Sequence, residues 1–238
     1  MQVQTEITRI VEFLRTRIGD RTPVIGVSGG IDSAVTLMLL SRAFEPSRIH
    51  AYFLPDNNTP KTDYADVEAL GKASGVEIHE INIHPMVESF SQTLGGEYKE
   101  ALGNVKSRTR MIVLYYQSNI SNGMVVGTTN RSEYMVGYYT KHGDGACDLE
   151  PIMHLLKREV RELARELNVP ENIMNKKPSA GLWASQTDED ELGMSYEELD
   201  RVITEIFNEM SNKTGGLYDR VRKLYLASAH KRNPPASL

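Results

Sequence analysis

Val24-Ile25-Gly26-Val27 is a short apolar run that passes through Ser28-Gly29-Gly30-Ile31-Asp32-Ser33 into a helix-forming stretch, Ala34 to Phe44. A buried strand that turns through adjacent glycines into a helix is the opening of a βα unit, and such a unit asks for a parallel sheet with covered faces. The turn also makes an anion site, because main-chain N–H groups and the helix N-terminus converge there. Adjacent glycines let a phosphate approach the backbone, and Ser28 and Ser33 add hydroxyl donors. Asp32 would repel a bare phosphate. It suits a hard cation such as Mg²⁺, which binds carboxylate and phosphate oxygens together. The plainer reading is a serine- and aspartate-capped turn of the kind many α/β proteins contain.

The rest of the chain agrees with the parallel-sheet reading. Ile7, Ile10, Val11, Leu14 and Ile18 are spaced as one face of a helix over 5–18. Strands are expected at 49–54, 76–81 and 124–127, with helices at 63–73 and 104–120 between them. This alternation predicts an α/β fold, a doubly wound parallel sheet flanked by helices, with a helical C-terminal third. In that third Val160, Leu163, Ala164 and Leu167 share one face. Leu199, Val202, Ile203, Ile206, Phe207 and Met210 share another. Residues 175–195 are polar and rich in turn formers, so a mobile loop is expected there. No repeat or linker divides the chain, which reads as one domain over 1–238. Ligands should sit at the carboxyl ends of the strands, in the loops after Val27, Leu54 and Val126.

Composition narrows the function. With 238 residues and a formal charge of −5, the chain lacks the basic excess of a nucleic-acid-coating protein. No apolar run approaches the roughly 20 residues needed to cross a bilayer. The N-terminus has neither a basic nor an apolar leader region, so a cytoplasmic location is expected. Cys147 is the lone cysteine, which excludes an internal disulfide. Any anionic substrate must therefore be held by local basic residues.

Four further segments carry chemistry. Lys106, Arg108 and Arg110 cluster at the expected start of a helix, where cations oppose the dipole unless they bind an anion; a solvated basic face is the alternative. Gly127-Thr128-Thr129-Asn130-Arg131-Ser132-Glu133 follows a strand. Thr128 could reach a nucleotide and Glu133 could be a second metal carboxylate, or Thr129 or Asn130 could simply cap a helix. Gly137 to Pro151 holds three glycines, Lys141, Asp144 and Asp148 in an irregular stretch whose ordering is entropically costly, so a purely connecting role is not expected. Lys176 to Glu189 places the lone tryptophan, Trp183, in a polar loop, which suggests a lid.

The Ser28–Ser33 segment is not a Walker A loop, since no Lys-Ser/Thr pair follows the second glycine. It resembles the SGGxDS pyrophosphatase loop of the N-type ATP pyrophosphatases, which cleave ATP to AMP and pyrophosphate. Taken with the other four segments, residues 5–232 resemble the NAD synthetase family, whose fold is adenine nucleotide alpha hydrolase-like, or Rossmann-like. The resemblance implies ATP-dependent amidation of deamido-NAD by ammonia, through an adenylated carboxylate, to give NAD, AMP and pyrophosphate. It implies that Gly26, Val27, Ser28, Gly29, Gly30, Ile31, Asp32 and Ser33 bind the ATP phosphates. Thr128, Lys157, Ser179 and Leu54 would contact the rest of ATP, and Asp32 and Glu133 would hold Mg²⁺. Arg108, Lys141, Asp148, His230 and Lys231 would hold deamido-NAD. A homodimer with substrate at the interface is also implied. Glutamine-dependent members carry an extra N-terminal amidase domain; this chain begins with the synthetase helix, so ammonia is the expected nitrogen donor.

In that chemistry the nicotinate oxygen is itself the first nucleophile, and the protein has only to position it and offset charge. Lys157 would offset charge on the departing pyrophosphate. Asp144 would bind ammonium and take its proton, although a turn-stabilising aspartate is an equal reading. Two rivals share the motif: a ligase amidating or thiolating another acceptor, a tRNA included, and a silent nucleotide-binding module.

Overall fold

The computed structural model describes residues 2–95, 98–179, 181–183 and 186–237. Four parallel strands, β1 (Thr22–Val27), β2 (His50–Phe53), β3 (Ile78–Glu80) and β4 (Gly123–Val126), pair in the order β3-β2-β1-β4. The order reverses between β1 and β4, so the loops leaving these two strands open side by side on one crevice.

Period-2 alternation in β1 sets the two faces. Ile25 and Val27 join one buried cluster with α1 (Val3–Ile18), α2 (Ile31–Ala43) and α7 (Lys157–Glu166). Val24 joins another with Tyr52, Leu54, Ile83, Val87 and Val113 on the opposite face. α2 is buried on nearly all sides, which explains why its sequence is apolar almost without interruption. Gly26 lets α5 (Lys99–Ile120) approach β1 closely, since a Cβ there would lie 3.1 Å from Leu114 Cδ1.

The expected elements are present with shifted ends. α3 spans Lys61–Ser74. α2 begins at Ile31, three residues before the expected start, so the glycine turn abuts the helix N-terminus directly. α5 begins at Lys99, which places Lys106, Arg108 and Arg110 in mid-helix and not at its start. α4 (His84–Leu94) was not anticipated; much of it is solvent-facing and only Val87 is buried, although Met86, Val87, Phe90 and Leu94 recur at helical spacing.

Beyond β4 come α6 (Arg131–Val136), α7, and the short α8 (Glu171–Met174) and α9 (Asp188–Leu192). α10 (Tyr196–Ile203), α11 (Gly216–Ala227) and α12 (Ala229–Arg232) complete the chain. Val136, Leu156, Leu192, Tyr196, Leu199, Val202, Ile203 and Val221 form their own cluster beside the sheet. Met210 does not share it. A π-helical turn over Thr204–Asn208 follows α10 and changes the helical phase, and Met210 is 80% exposed.

Candidate active site

The glycine turn is built around Ser33. Ser28 N–H donates to Ser33 Oγ at 3.2 Å, and Ser33 Oγ donates to the Gly30 carbonyl at 3.0 Å. Gly29 has φ +74°, a conformation that side chains other than glycine rarely take. Val27 and Ile31 send their side chains into the core, so only their backbone is available to a ligand.

Asp32, at the start of α2, meets the fully buried Lys157 at the start of α7: Lys157 Nζ donates to Asp32 Oδ2 at 2.6 Å and to Glu133 Oε1 at 3.0 Å. Burial opposes charge on Lys157, but the Asp32 and Glu133 carboxylates outweigh it and hold the ammonium well above the ordinary lysine range. Asn130 Nδ2 donates to Asp32 Oδ1 at 2.8 Å. Asn130 also caps α6, with Glu133 reciprocating in a capping box. The helix-cap reading of this segment is thus realised, on a residue that also bonds Asp32.

Behind this triad lies a shell that sequence reasoning missed. Tyr196 is 1% exposed; its hydroxyl lies 3.2 Å from Glu133 Oε1 and 3.0 Å from Asp188 Oδ2. Asp200 accepts from Ser132 Oγ and from Arg158 N–H, holding the start of α7 against α6. Lys176 Nζ reaches Asp63, Asp66 and the Gly29 carbonyl, tying the 175–195 segment to the glycine turn. Glu133, Lys157, Tyr196 and Asp188 come from four separate segments, and no local spacing announces such a set.

The fit of Mg²⁺ rests on donor chemistry. Asp32 and Glu133 bring their carboxylates together around Lys157 Nζ beside the glycine turn, and both remain partly exposed. Two hard anionic oxygens, leaving room for phosphate and water, suit that ion. Among the described residues no group of three or more His, Cys, Asp or Glu side chains gathers into an all-protein metal cage.

The other expected ATP contacts differ in character. Thr128 stands at the mouth of the β4 loop, partly exposed, with no intramolecular bond to its hydroxyl among the described residues. Ser179 is exposed and accepts from Gly181 N–H. Leu54 packs into the core, with its carbonyl taken by Arg110 Nε at 3.0 Å, so little more than its backbone edge can face a ligand. Lys106 is no free anion binder. It pairs with the buried Asp56 and donates to the Leu182 carbonyl at 3.0 Å. Lys106 and His84 outweigh burial and hold Asp56 below the ordinary carboxylate range.

The basic residues expected on deamido-NAD do converge, at the C-terminal helices. Arg108 donates to the Lys141 carbonyl, and Lys141 Nζ donates to the His230 carbonyl at 2.6 Å. Lys231 Nζ donates to the Gly137 and Tyr139 carbonyls at 2.6 Å each. Burial pushes Lys231 down, and Arg108 and Arg232 add to this against an opposing Asp144. Asp148 lies beside β4, where its Oδ2 accepts from Val125 N–H at 2.7 Å. Asp144 Oδ1 accepts from Ser107 Oγ at 2.6 Å and from Thr140 N–H at 2.9 Å, the bonding of a turn aspartate. Its Oδ2 has no hydrogen-bond partner among the described residues. Trp183 docks on α5: a Cβ at Gly103 would be 3.1 Å from its ring, and Lys99 Nζ lies 4.5 Å from the ring centre. Ala180, Ala184 and Ser185 of the expected lid lie outside the described residues.

A parallel sheet with a glycine phosphate turn at its switch point, flanked by a buried lysine between two carboxylates, defines a nucleotide-binding α/β protein built for phosphoryl chemistry. Comparison with known proteins narrows the class. The NAD synthase family profile matches residues 6–235, and the chain belongs to that family. The NH(3)-dependent NAD(+) synthetase of Thermoplasma acidophilum is 53% identical, over 98% of this chain and 97% of its own length. That of Pyrococcus horikoshii is 42% identical, over 96% and 92%. Among solved structures, NMN synthetase from Francisella tularensis superposes with a TM-score of 0.91 at 35% identity, covering 100% of this chain and 99% of that one. NH3-dependent NAD synthetase from Campylobacter jejuni, in complex with the nitrate ion, gives 0.86 at 27%, covering 100% of both chains.

Proposed function

We propose that the chain amidates deamido-NAD with ammonia at the expense of ATP, giving NAD, AMP and pyrophosphate. The observation that carries this reading, beyond family membership, is the Asp32–Lys157–Glu133 triad lying against the glycine turn. ATP phosphates rest on the N–H groups of residues 28–33 and on the start of α2. The nicotinate carboxylate attacks the α-phosphorus, and the bond to the pyrophosphate oxygen breaks. Lys157, kept charged by its two carboxylates, lies where negative charge develops on the leaving group. Bound by Asp32 and Glu133, Mg²⁺ would supply further charge neutralisation on the phosphates. Arg108, Lys141, His230 and Lys231 face the anionic dinucleotide, with Asp148 at the β4 end. Asp144, fixed through Oδ1, offers Oδ2 to attract ammonium.

Association as a homodimer is part of the same reading. Ile112, Tyr116 and Ile120 recur every fourth residue on α5 and are 51%, 62% and 66% exposed; Phe90 and Leu94 of α4 add 44% and 72%. Apolar side chains so aligned on adjacent helices support a partner surface. Among the described residues no helix is long and apolar enough to cross a membrane, and a cytoplasmic setting fits the substrates.

The test is direct. The enzyme is supplied with ATP, Mg²⁺, ammonium and deamido-NAD, and NAD and AMP are measured. Equimolar NAD and AMP are expected with ammonium, and none with ammonia-free glutamine alone. Likeness to an NMN synthetase favours one second reading, in which the acceptor is the mononucleotide. A higher kcat/KM for nicotinate mononucleotide than for deamido-NAD would establish it.

A further inference from the structure

Of the carboxylates near the carboxyl ends of β1 and β4, Asp32 and Glu133 are matched to Lys157. Glu150 is matched to no cation: among the described residues it makes no ion pair. The chain returns from the 137–145 turn along β4, where Leu149 bridges Val126 and its carbonyl accepts from Gly127 N–H at 2.9 Å. This return seats the Glu150 carboxyl group directly over Gly127, where a Cβ would fall 2.4 Å from its carboxyl carbon. Thr129 N–H donates to Oε2 at 3.1 Å and Cys147 Sγ donates to Oε1 at 3.3 Å. The carboxyl group is therefore fixed one residue from Thr128, at the mouth of the crevice that receives the activated acid. A packing role alone would be served at lower cost by an apolar side chain, because even a half-buried carboxylate without a counter-ion is penalised.

On the amidation reading, one of the substrates is itself a cation. We infer that Glu150 receives ammonium at the end of β4 and takes its proton, releasing neutral ammonia toward the acyl-adenylate, with Asp144 as the second anionic wall. A proton passes from ammonium nitrogen to a Glu150 oxygen. The freed lone pair forms the C–N bond to the nicotinoyl carbon. The C–O bond to AMP breaks, its electrons leaving on the phosphate oxygen. The attacking nitrogen gives its surplus proton to that phosphate or to water, and Glu150 returns its own to water. Burial pushes Glu150 up to about 7, the Thr129 and Cys147 hydrogen bonds opposing and the Asp144 charge adding. Such a group exchanges protons efficiently near neutral pH. The titratable groups facing it are the Cys147 thiol, itself pushed up by burial, the Asp144 carboxylate and the Tyr139 phenol, which burial also raises.

The experiment compares wild type with Glu150→Gln in both half-reactions. ATP–pyrophosphate exchange with deamido-NAD and no ammonium should stay within about threefold, since adenylation needs no base. NAD synthesis at saturating ammonium and neutral pH should fall roughly 10²–10³-fold, the usual range for a lost general base. The deficit should shrink as pH rises toward the pKa of ammonium, where free ammonia is already neutral. Glu150→Asp, which keeps a titrating group, should fall between the two. Equal loss in exchange and synthesis, a deficit that is constant with pH, or no deficit would each overturn the inference. Wild-type enzyme lacking exchange altogether would instead overturn the amidation reading beneath it.

Discussion

At the scale of single residues, the site is governed by how charge is matched. Asp32 holds Lys157 and, on the proposed reading, the metal. Asp32→Asn changes little volume but leaves Lys157 with one carboxylate, so two effects are expected. NAD synthesis should drop at least about 10²-fold, and thermal stability should fall by about 1–3 kcal/mol, less than the full cost of breaking a buried pair because Glu133 remains. Calorimetry alongside the NAD assay checks both; near wild-type turnover would remove Asp32 from the reaction. Glu150 yields a stability prediction of opposite sense. Its folded pKa, about 7, lies above the unfolded value of 4.5. The neutral form is therefore favoured by folding: its stabilisation is fully present below 4.5 and is lost as pH rises through 7. Glu150→Gln cannot ionise, so its stability relative to wild type should improve by up to about 3 kcal/mol between pH 5 and pH 8. Thermal melts across that range would decide it, and a difference that does not change with pH would contradict it.

Among the elements, the junction of α6 with the C-terminal helices is the most sensitive. Gly137 ends α6 at φ +69°, and a Cβ there would meet Ser228 Cβ at 2.1 Å. Gly137→Ala thus combines left-handed strain with a clash that backbone movement must relieve, at a cost of about 2–4 kcal/mol. Because Lys231 is hung on the Gly137 and Tyr139 carbonyls, the same shift displaces the basic cluster. KM for deamido-NAD should rise about tenfold or more while KM for ATP changes little, a split that steady-state kinetics will read. An equal rise in both would mean that the displacement reaches the phosphate turn.

Over the whole molecule, the proposed assembly rests on the α4–α5 face. Ile112→Glu with Tyr116→Glu puts two charges into the apolar row. The dimer expected of the wild type by sedimentation equilibrium should become monomeric, with helical content unchanged. If deamido-NAD binds across the interface, its affinity should fall with dissociation while ATP–binding to the turn persists. A wild-type chain that is already monomeric at micromolar concentration would refute the assembly.

What the chain determines by itself is local. The strand–glycine–helix turn, the parallel alternation and the apolar faces of α1 and α7 all follow from spacing, because backbone geometry ties a period of 2 or 3.6 to one buried face. The glycine turn was legible for the same reason: its strand end, glycines, serines and helix start lie within eight consecutive residues. Asp32 and Glu133 could be named from their own segments, yet the fact that one lysine joins them could not, since Lys157 lies 125 positions from Asp32. Tyr196, Asp188 and Asp200 carry no signal in their neighbours; only the packing of α6, α7 and α10 brings them together. Lys106 and Arg110 read as free cations until Asp56 and the Leu54 carbonyl were placed beside them. Glu150 was hidden in plain view within the Gly137–Pro151 stretch. Its meaning depends on having no ion-pair partner among the described residues and on close packing over Gly127, and both are properties of the tertiary fold, because the environment that sets a carboxylate's proton affinity is assembled from distant segments.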